Sequence, residues 1–309
     1  MRTNMTVVKK KSKVAYIFLA LVLSMTLFSK GEAKESIEPP KAKKERYEKI
    51  IHGDITVDYY HWLKDKSWPK VDNEEITNYL KEENKYTENY FTPYKRQEKD
   101  LIKEIKNKVV EDDDTYPKKF KNYYYYRKFI KNSNHFLVCR KKNSLKAKEE
   151  IVLDINKLAG DSVGYSIGVI APSPNHNLLA YSTDIKGEEK YSISVKNLKT
   201  GEIDSNVVND MWGNIIWHGS NKGFFYTKRD NELRATEVYY HELSRKQTED
   251  ILIYKESDDS FLIEIEQTSD EKYLIINPSN NIENEIRILD IEKKVIFNTR
   301  LLLSRKQGP

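Results

Sequence analysis

A recurring unit of two short strands joined by a polar turn constrains this chain more than any other sequence feature. In its clearest copy, residues 171–202, the apolar strand 178–183 follows a Pro- and Asn-containing turn, and the alternating strand 191–197 ends at Thr200-Gly201. The apolar strand returns at 224–227 and 273–276, at steps of about 45 and 50 residues, the period of a four-stranded propeller blade. Strands this short cannot bury a core alone, so the repeat predicts sheets that stack on their neighbours.

The composition predicts a folded core and argues against one class of partner. The apolar fraction of 38% is low, but 21 Tyr and 10 Phe predict a partly aromatic core rather than a disordered chain. The net charge of +5 comes from residues 1–33, which carry six cations and one Glu, so the remaining chain is neutral. We therefore expect no nucleic-acid partner, and the Tyr-rich run 123–126 is interpreted as blade core rather than as a base-stacking surface.

The first 33 residues have the pattern of a secretory signal peptide. A basic start precedes the uncharged apolar run 14–28, and Gly31 and Ala33 supply the small residues expected before a cleavage site. The run is short for a bilayer span of about 20 residues, which favours removal over a retained anchor. We predict an exported, periplasmic protein with no membrane partner after cleavage. A cytoplasmic location is the alternative if the leader is not used.

Two amphipathic helices are predicted before the strands. Asp72 is the predicted N-cap of the first helix, with Glu75 completing a capping box and Val71 and Ile76 spaced as a hydrophobic staple. The second helix is predicted to begin at Thr92-Pro93. The apolar positions of each helix fall on one face: Ile76, Tyr79, Leu80, Tyr86 and Tyr90 in the first, and Leu101, Ile102, Ile105 and Val109 in the second.

The predicted fold is mainly β, a partial β-propeller of about four blades at 116–309. Before it, residues 34–115 hold a Pro- and Lys-rich linker (34–49), a packed aromatic segment (52–65) and the two helices. About 185 residues, from 116 to 300, fit four blades, and 300–309 is expected to lie where a next blade would begin. The predicted strands, blade by blade, are 123–129, 135–140 and 151–154; 166–170, 178–183 and 191–197; 214–217, 223–228, 237–242 and 251–254; and 261–266, 273–277, 285–290 and 294–298.

One serine lies in the sequence pattern of a nucleophile elbow. Gly160-Asp-Ser162-Val-Gly164 fits G-x-S-x-G, a motif that needs a strand before the serine and a helix after it. Here a strand-like run follows the motif instead. Ser162 is therefore interpreted as part of a loop between blades rather than as a catalytic residue.

No other pattern predicts a catalytic, cofactor or metal site. The consecutive acids 111–114 lack the spaced ligands and Gly turn of a calcium loop, so they are interpreted as a solvated boundary. The single cysteine, Cys139, lies in a strand-like run and is interpreted as a buried structural thiol rather than a nucleophile. Trp62, Trp68, Trp212 and Trp217 are interpreted as packing residues. The histidines show no spacing typical of zinc: His52, His61, His135, His176, His218 and His241.

Several stretches of this chain, taken in order, carry a resemblance to a known family. They include Asp58-Tyr-Tyr-His-Trp-Leu-Lys-Asp65, Tyr79-Leu-Lys-Glu-Glu-Asn84, Ile151-Val-Leu-Asp154, Ser173-Pro-Asn175 through Gly201-Glu202, and Glu285-Ile-Arg-Ile-Leu-Asp290. Together they resemble the amino-terminal half of the prolyl oligopeptidase family of serine peptidases, and most closely its oligopeptidase B (protease II) branch. The resemblance covers nearly everything from Pro39 to Asn298.

The resemblance implies a serine-type endopeptidase in which a seven-bladed propeller acts as a lid over an α/β-hydrolase domain and admits only short peptides. The family's catalytic Ser, Asp and His lie in its carboxyl-terminal part, which we expect to be absent here through a truncated or split gene. No position of this chain matches a catalytic residue of the family. We therefore assign it no catalytic, cofactor-binding or metal-binding residue.

Three functions stay open on the sequence. The chain can be the gating region of an oligopeptidase B-like peptidase, not catalytic by itself, whose hydrolase domain is a separately encoded partner. It can be an exported, non-catalytic partial propeller that binds peptides or a protein. It can also be a gene remnant without function, because a partial ring leaves apolar faces and strand edges exposed.

Overall fold

The computed structural model describes residues 38–68, 70–110, 113–230, 232–292 and 297–307. It divides between Val109 and Val110 into two compact units. The predicted signal peptide, 1–33, lies outside the described residues. Among the helices that are described, none is long and apolar enough to cross a bilayer.

The first unit begins with a two-stranded hairpin that the sequence reasoning missed. Strands β1 (Tyr47–Ile51) and β2 (Asp54–Asp58) pair antiparallel around His52 and Gly53. Both turn residues have positive φ, 52° and 89°, as a type I′ hairpin turn requires. The turn was hard to recognise in the sequence because His52 stands where a hairpin turn of this type usually has Asn or Asp. The hairpin and the 3₁₀ turn His61–Leu63 lie where a linker and a packed aromatic segment were predicted, and both strands are exposed.

Helix α1 (Glu74–Phe91) forms as predicted, but its N-cap is Asn73 rather than Asp72. The backbone N–H of Glu75 donates to Oδ1 of Asn73 at 2.9 Å. The predicted capping box is wrong, because Asp72 pairs with Lys70 at 3.1 Å and the Glu75 carboxylate pairs with Lys43 at 2.7 Å. With the cap moved by one residue, Val71 and Ile76 also lose the spacing of a staple.

A single 3₁₀ turn, Thr92–Tyr94, leads directly into helix α2 (Lys95–Asn107). Pro93 lies in the first turn, as predicted. A backbone N–H at this position has no acceptor within the helix, so its absence in proline costs no helical hydrogen bond. The apolar stripe of α2 is exposed along its whole length: Leu101, Ile102, Ile105 and, just beyond the helix, Val109.

The second unit consists of four antiparallel blades in chain order. The first strand of each blade lies innermost, and β10 is shared by blades 2 and 3. Blade 1 is β3–β6, blade 2 is β7–β9 with the first part of β10, blade 3 is the rest of β10 with β11–β13, and blade 4 is β14–β17. The strands are β3 (Lys118–Phe120), β4 (Tyr123–Lys128), β5 (Leu137–Lys142), β6 (Glu149–Asp154), β7 (Ser166–Pro172), β8 (Leu178–Asp184), β9 (Tyr191–Asn197), β10 (Ile203–Trp217), β11 (Gly223–Arg229), β12 (Ala235–Glu242), β13 (Ile251–Lys255), β14 (Leu262–Gln267), β15 (Tyr273–Ser279), β16 (Glu283–Asp290) and β17 (Arg300–Gln307).

Strand β10 runs from the outer edge of blade 2 to the centre of blade 3, whereas the sequence predicted only its end, 214–217. Its first part pairs with β9 and its second part with β11, which joins the two blades in one seven-stranded sheet. The register shifts between Trp212 and Ile215, at Gly213, whose φ is 70°. The bulge lets one strand turn from one blade into the next.

Three further elements differ from the prediction. The innermost strand of blade 1, β3, was missed because it is only three residues long, and the short helix α3 (Ile155–Ala159), capped by Asp154, was also missed. The outer strand of blade 4 was predicted at 294–298, a range that lies mostly outside the described residues. That strand is β17, which pairs with β16, so 300–307 completes blade 4 instead of lying beyond it; residues 293–296 are outside the described ranges.

Three hydrophobic clusters of the described residues lie one at each junction between blades, and a fourth, of Tyr126, Leu137 and Cys139, lies within blade 1. Between blades 1 and 2, Val138 and Leu153 pack with Leu179 and Tyr181. Between blades 2 and 3 the cluster centres on Phe224 and Trp217. Between blades 3 and 4 it joins Phe225, Val238 and Tyr240 to Ile263, Ile265, Leu274, Ile276 and Leu289. The apolar alternation found in the repeat therefore faces the neighbouring blade, as stacked sheets require.

Polar groups also tie the junctions. The Trp217 indole N–H donates to the Ala171 carbonyl at 2.9 Å. In β17, the Arg305 guanidinium lies 2.6 Å from the buried Glu256 carboxylate and 3.3 Å from Glu285, over the ring of Phe261. Its hydrogen bond to Glu256 raises the pKa of Arg305 above its ordinary value. This ion network holds the last strand of blade 4 against the segment that leaves blade 3.

Candidate functional site

The inner strands of the four blades surround a common axis. A cavity of about 280 Å³ is lined by Lys118 and Phe120 from blade 1, Pro172 from blade 2, Trp217 from blade 3 and Gln267 from blade 4, among other residues. Strands β7, β10 and β14 lie side by side along the same axis. This arrangement is the wall of a propeller channel.

A larger cavity of about 700 Å³ opens on that wall beside blades 1 and 2. Most of its polar lining groups are hydroxyls, cations and one amide: Thr115, Tyr116, Lys118, Tyr125, Arg127 and Asn214. None of its lining residues is an acid, a histidine or a serine. Such groups can donate hydrogen bonds to the carbonyl or carboxylate oxygens of a peptide.

One mouth of the channel is crossed by an ion pair. Lys121, in the turn between β3 and β4, lies 3.1 Å from the carboxylate of Glu271, in the turn between β14 and β15. The Lys121 ammonium also donates to the Pro174 carbonyl at 3.3 Å. Turns of blades 1, 2 and 4 therefore converge at this end.

His176 lies at the junction of blades 1 and 2, in the turn between β7 and β8. Its Nδ1 is 3.0 Å from the Tyr125 hydroxyl, its carbonyl accepts a bond from Arg140 at 2.8 Å, and its ring packs against Phe120 and Tyr123. Burial lowers the pKa of His176, and the nearby cations Arg140 and Lys121 lower it further. The imidazole is therefore neutral and acts as a packed junction residue.

A second histidine belongs to a buried hydrogen-bond network with an aspartate and a tyrosine. Nδ1 of His241 lies 2.7 Å from Oδ1 of Asp250, whose other oxygen accepts a bond from the Tyr226 hydroxyl at 2.8 Å. Burial, and then the hydrogen bond to Asp250, raise the pKa of Tyr226. All three side chains are buried inside blade 3, so no substrate reaches them. Sequence reasoning missed this network because the three residues are scattered over β11, β12 and the turn before β13.

The structure places Ser162 in a turn between helix α3 and strand β7. A helix precedes the serine and a strand follows it, the reverse of a nucleophile elbow. Its backbone N–H donates to the Ala159 carbonyl at 3.0 Å, and no described histidine or carboxylate is hydrogen-bonded to its side chain. The geometry gives Ser162 no base to activate it.

The other residues singled out from the sequence fall in several environments. Cys139 is buried as predicted, and burial raises the pKa of its thiol to about 11, so it stays protonated. The 123–126 run forms β4 of blade 1 as predicted. Trp217 is buried, but Trp68 is 77% exposed, so its interpretation as a packing residue is wrong. Within the described ranges, no three His, Cys, Asp or Glu side chains are placed to hold a metal ion.

Comparison with known proteins identifies what this architecture is similar to. The model of the prolyl oligopeptidase N-terminal β-propeller domain matches residues 39–308. Dipeptidyl aminopeptidase BI of Pseudoxanthomonas mexicana is 31% identical over 91% of this chain and 41% of its own length. Protease 2 of Moraxella lacunata is 30% identical over 87% of this chain and 39% of its own.

Solved structures show the same fold. Oligopeptidase B from Leishmania major superposes with a TM-score of 0.79 at 23% identity, and the enzyme from Trypanosoma brucei with 0.77 at 26%. Each match covers 88% of this chain and 40% of the other. The chain therefore spans about two fifths of the length of the relatives it matches, and the matched part is the propeller region.

Proposed function

Because this chain belongs to the prolyl oligopeptidase family, as its amino-terminal β-propeller region, we propose that it gates a serine peptidase of the oligopeptidase B type. By itself it cleaves no peptide. Cleavage of short peptides takes place when an α/β-hydrolase domain, here a separate chain, lies against it.

The observation that carries the proposal is the position of the match. Residues 39–308 align with the propeller region, and these residues account for only two fifths of each relative. The remaining three fifths of those relatives have no counterpart in these 309 residues. The buried His241–Asp250 pair and the isolated Ser162 supply no substitute site among the described residues.

The exposed stripe of α2 supports the need for a second domain. Leu101 and Ile105 are 57% and 63% exposed on a helix whose other positions are largely charged. Apolar side chains aligned on one helix face bury against a partner in most folded proteins. We assign the hydrolase domain to this stripe.

Reconstitution tests the proposal directly. The 309-residue chain is mixed with the carboxyl-terminal three fifths of protease 2 from Moraxella lacunata, and hydrolysis of a short Arg-containing peptide is followed. We expect background hydrolysis by this chain alone and a clear rate increase in the mixture. The double variant Leu101→Asp/Ile105→Asp should lower that rate about tenfold or more, because it places two charges in an apolar contact.

The matched control is Lys103→Asp, which changes a charge on the opposite face of the same helix and should leave the rate in the mixture unchanged. A mixture that hydrolyses no faster than the hydrolase part alone contradicts the proposed gating role. An equal loss in the control would show that α2 had been disrupted and not its stripe.

A non-catalytic peptide-binding module is the second candidate. The 700 Å³ cavity favours it, since Lys118, Arg127 and Tyr125 offer a cation-rich, donor-rich wall. Titration of the chain into a fluorescent tetrapeptide tests it by anisotropy. Binding that disappears in the double variant Lys118→Ala/Arg127→Ala supports this function. If the chain does not bind the peptide, the peptide-binding function is contradicted.

Export remains part of the proposal. The pattern of 1–33 supports it, and amino-terminal sequencing of the periplasmic fraction of an expressing bacterium tests it. The expected first residue is Lys34; a protein that begins at Met1 in the cytoplasm contradicts export.

A further inference from the structure

A small apolar cavity opens between the inner strands of blades 2 and 3. It has a volume of about 240 Å³, and residues of β7, β9 and β10 supply most of its lining: Gly168, Val169, Tyr191, Met211, Trp212 and Gly213. We call this cavity the side pocket. The Tyr191 and Trp212 rings meet edge to face, with their centroids 6.4 Å apart, and Trp212 is 40% exposed. The side pocket therefore presents aromatic surface to a ligand.

The hydroxyls that line the side pocket already have partners. The Ser182 hydroxyl accepts a hydrogen bond from the Val169 N–H at 2.9 Å, and the Tyr191 hydroxyl lies 3.3 Å from Oγ of Ser166. A Cβ on Gly168 would lie 2.6 Å from Oγ of Ser182 and 3.0 Å from the Tyr191 ring, so glycine is needed for this close packing. The wall therefore favours an apolar group over one that needs hydrogen bonds.

A cation beside the side pocket selects against basic ligand groups. The Arg229 guanidinium lies 4.7 Å from the centroid of the Trp212 ring and donates to the Glu189 carbonyl. A second cation on Trp212 would be repelled by this charge, and none of the lining residues is an acid that could offset it. A neutral aromatic ring can instead stack on Tyr191 and Trp212. A cavity of about 150 Å³ is enough for benzene, so the side pocket has room for a phenylalanine side chain.

The side pocket adjoins the larger cavity of about 700 Å³, since Gly168 and Val169 line both. Two cations of the larger cavity, Lys118 and Arg127, form no ion pair with any acid that the structure describes. Unpaired cations on a cavity wall favour an anionic ligand group, and every unmodified peptide carries one at its carboxyl end. An apolar site and an anion site therefore lie next to each other on the channel wall.

We propose that the side pocket binds an aromatic side chain of a short peptide whose terminal carboxylate lies in the larger cavity, towards Lys118 and Arg127. This inference rests on the peptide-binding function proposed above and names its ligand class. An extended residue spans about 3.3 Å, and the two cavities share wall residues, so the aromatic residue is expected next to the carboxyl-terminal one.

Isothermal titration calorimetry of the 309-residue chain with unlabelled tetrapeptides tests the proposal. Gly-Gly-Phe-Gly should bind about tenfold or more tightly than Gly-Gly-Ala-Gly, because only the former buries a ring. Gly-Gly-Lys-Gly should bind no more tightly than the alanine peptide, because Arg229 repels its side chain. Amidation of the carboxyl end of Gly-Gly-Phe-Gly should weaken binding about fivefold or more, because it removes the charge that Lys118 and Arg127 attract.

Variants of the chain locate the binding site. Trp212→Ala should abolish the advantage of the phenylalanine peptide and leave the affinity for the alanine peptide unchanged. Arg229→Met should strengthen binding of the lysine peptide but not of the alanine peptide. The control is Leu252→Ala, at an exposed apolar residue on the outer strand of blade 3, which should change no affinity. Circular dichroism confirms that each variant is folded, and Trp212→Leu replaces Trp212→Ala if the latter is not.

Equal affinities for the phenylalanine and alanine peptides overturn the side pocket but leave the peptide-binding function intact. If no peptide binds, that function and this inference fall together, whereas the reconstitution test of gating is independent of both. A phenylalanine preference that survives Trp212→Ala places the ring elsewhere and overturns the proposal. So does a lysine peptide that binds most tightly. An amidated peptide that binds as well as the acid overturns the placement of the carboxylate.

Discussion

His176 shows how a single turn position links conformation and charge. Its φ of 60° lies in the left-handed region, which Asn tolerates better than most residues. Its neutral ring is held between blades 1 and 2 by Tyr125 and by the aromatic side chains around it. The position was predicted as a turn, but the burial of the ring depends on β3 and β4, which lie more than 45 residues away and share no local signal with it.

We predict that His176 makes the protein less stable in acid. Because its folded pKa is lowered, its stabilising contribution is present above its ordinary pKa of 6.5 and is lost as the pH falls through the folded pKa. His176→Asn keeps the backbone conformation without a titrating group. Urea unfolding between pH 7 and pH 5 should therefore show a smaller loss of unfolding free energy in the variant. An equal loss in both proteins would contradict this role.

Substitutions at different residues of the Tyr226–Asp250–His241 network should lower the unfolding free energy by different amounts. Asp250→Ala leaves two buried polar groups without their shared acceptor and should cost about 3 kcal/mol of unfolding free energy. Tyr226→Phe removes only a donor and should cost about 1 kcal/mol.

Urea unfolding at pH 7 measures both costs. Glu202→Ala, at an exposed turn, is the control and should change stability by less than about 0.5 kcal/mol. Equal small costs for Asp250→Ala and for the control would mean that the network does not hold blade 3 together.

At the scale of elements, β17 depends on one side chain for its electrostatic attachment. Arg305→Met keeps the packing of the stem over Phe261 but leaves the buried acids Glu256 and Glu285 without this cation. Since Arg305 is partly exposed, we expect a loss of about 2 kcal/mol of unfolding free energy. Amide hydrogen exchange should increase in β17 before it does in β15.

The matched control is Arg245→Met. Arg245 forms an exposed pair with Glu242 at 2.7 Å, and such pairs contribute less than about 1 kcal/mol. Equal losses of unfolding free energy for the two variants, or unchanged hydrogen exchange in β17, would show that the Arg305 network does not stabilise blade 4.

The repeat predicted the middle strands of every blade, and the edges of the blades account for most of the errors. Strands β8 and β11 carry strong apolar patterns because both of their faces are covered, and β15 alternates buried with half-buried residues. The inner strand β3 has three residues, and the first part of β10 is largely exposed, so neither has a clear alternation. The placement of β17 depends on Arg305 reaching acids some 20 and 49 residues away, which no local pattern encodes.

At the scale of the whole molecule, the described residues form four blades around a channel, and helix α2 carries an exposed apolar stripe. The family resemblance was predictable because its motifs lie in turns and strands that the repeat itself organises.

This propeller region performs no covalent catalysis by itself. The most direct measurement is labelling of the purified 309-residue chain with a fluorophosphonate probe, which reacts with activated serines, with a complete serine peptidase as positive control. We predict no labelled protein. Labelling at Ser162 that disappears in Ser162→Ala, together with cleavage of an Arg-containing peptide, would contradict the claim.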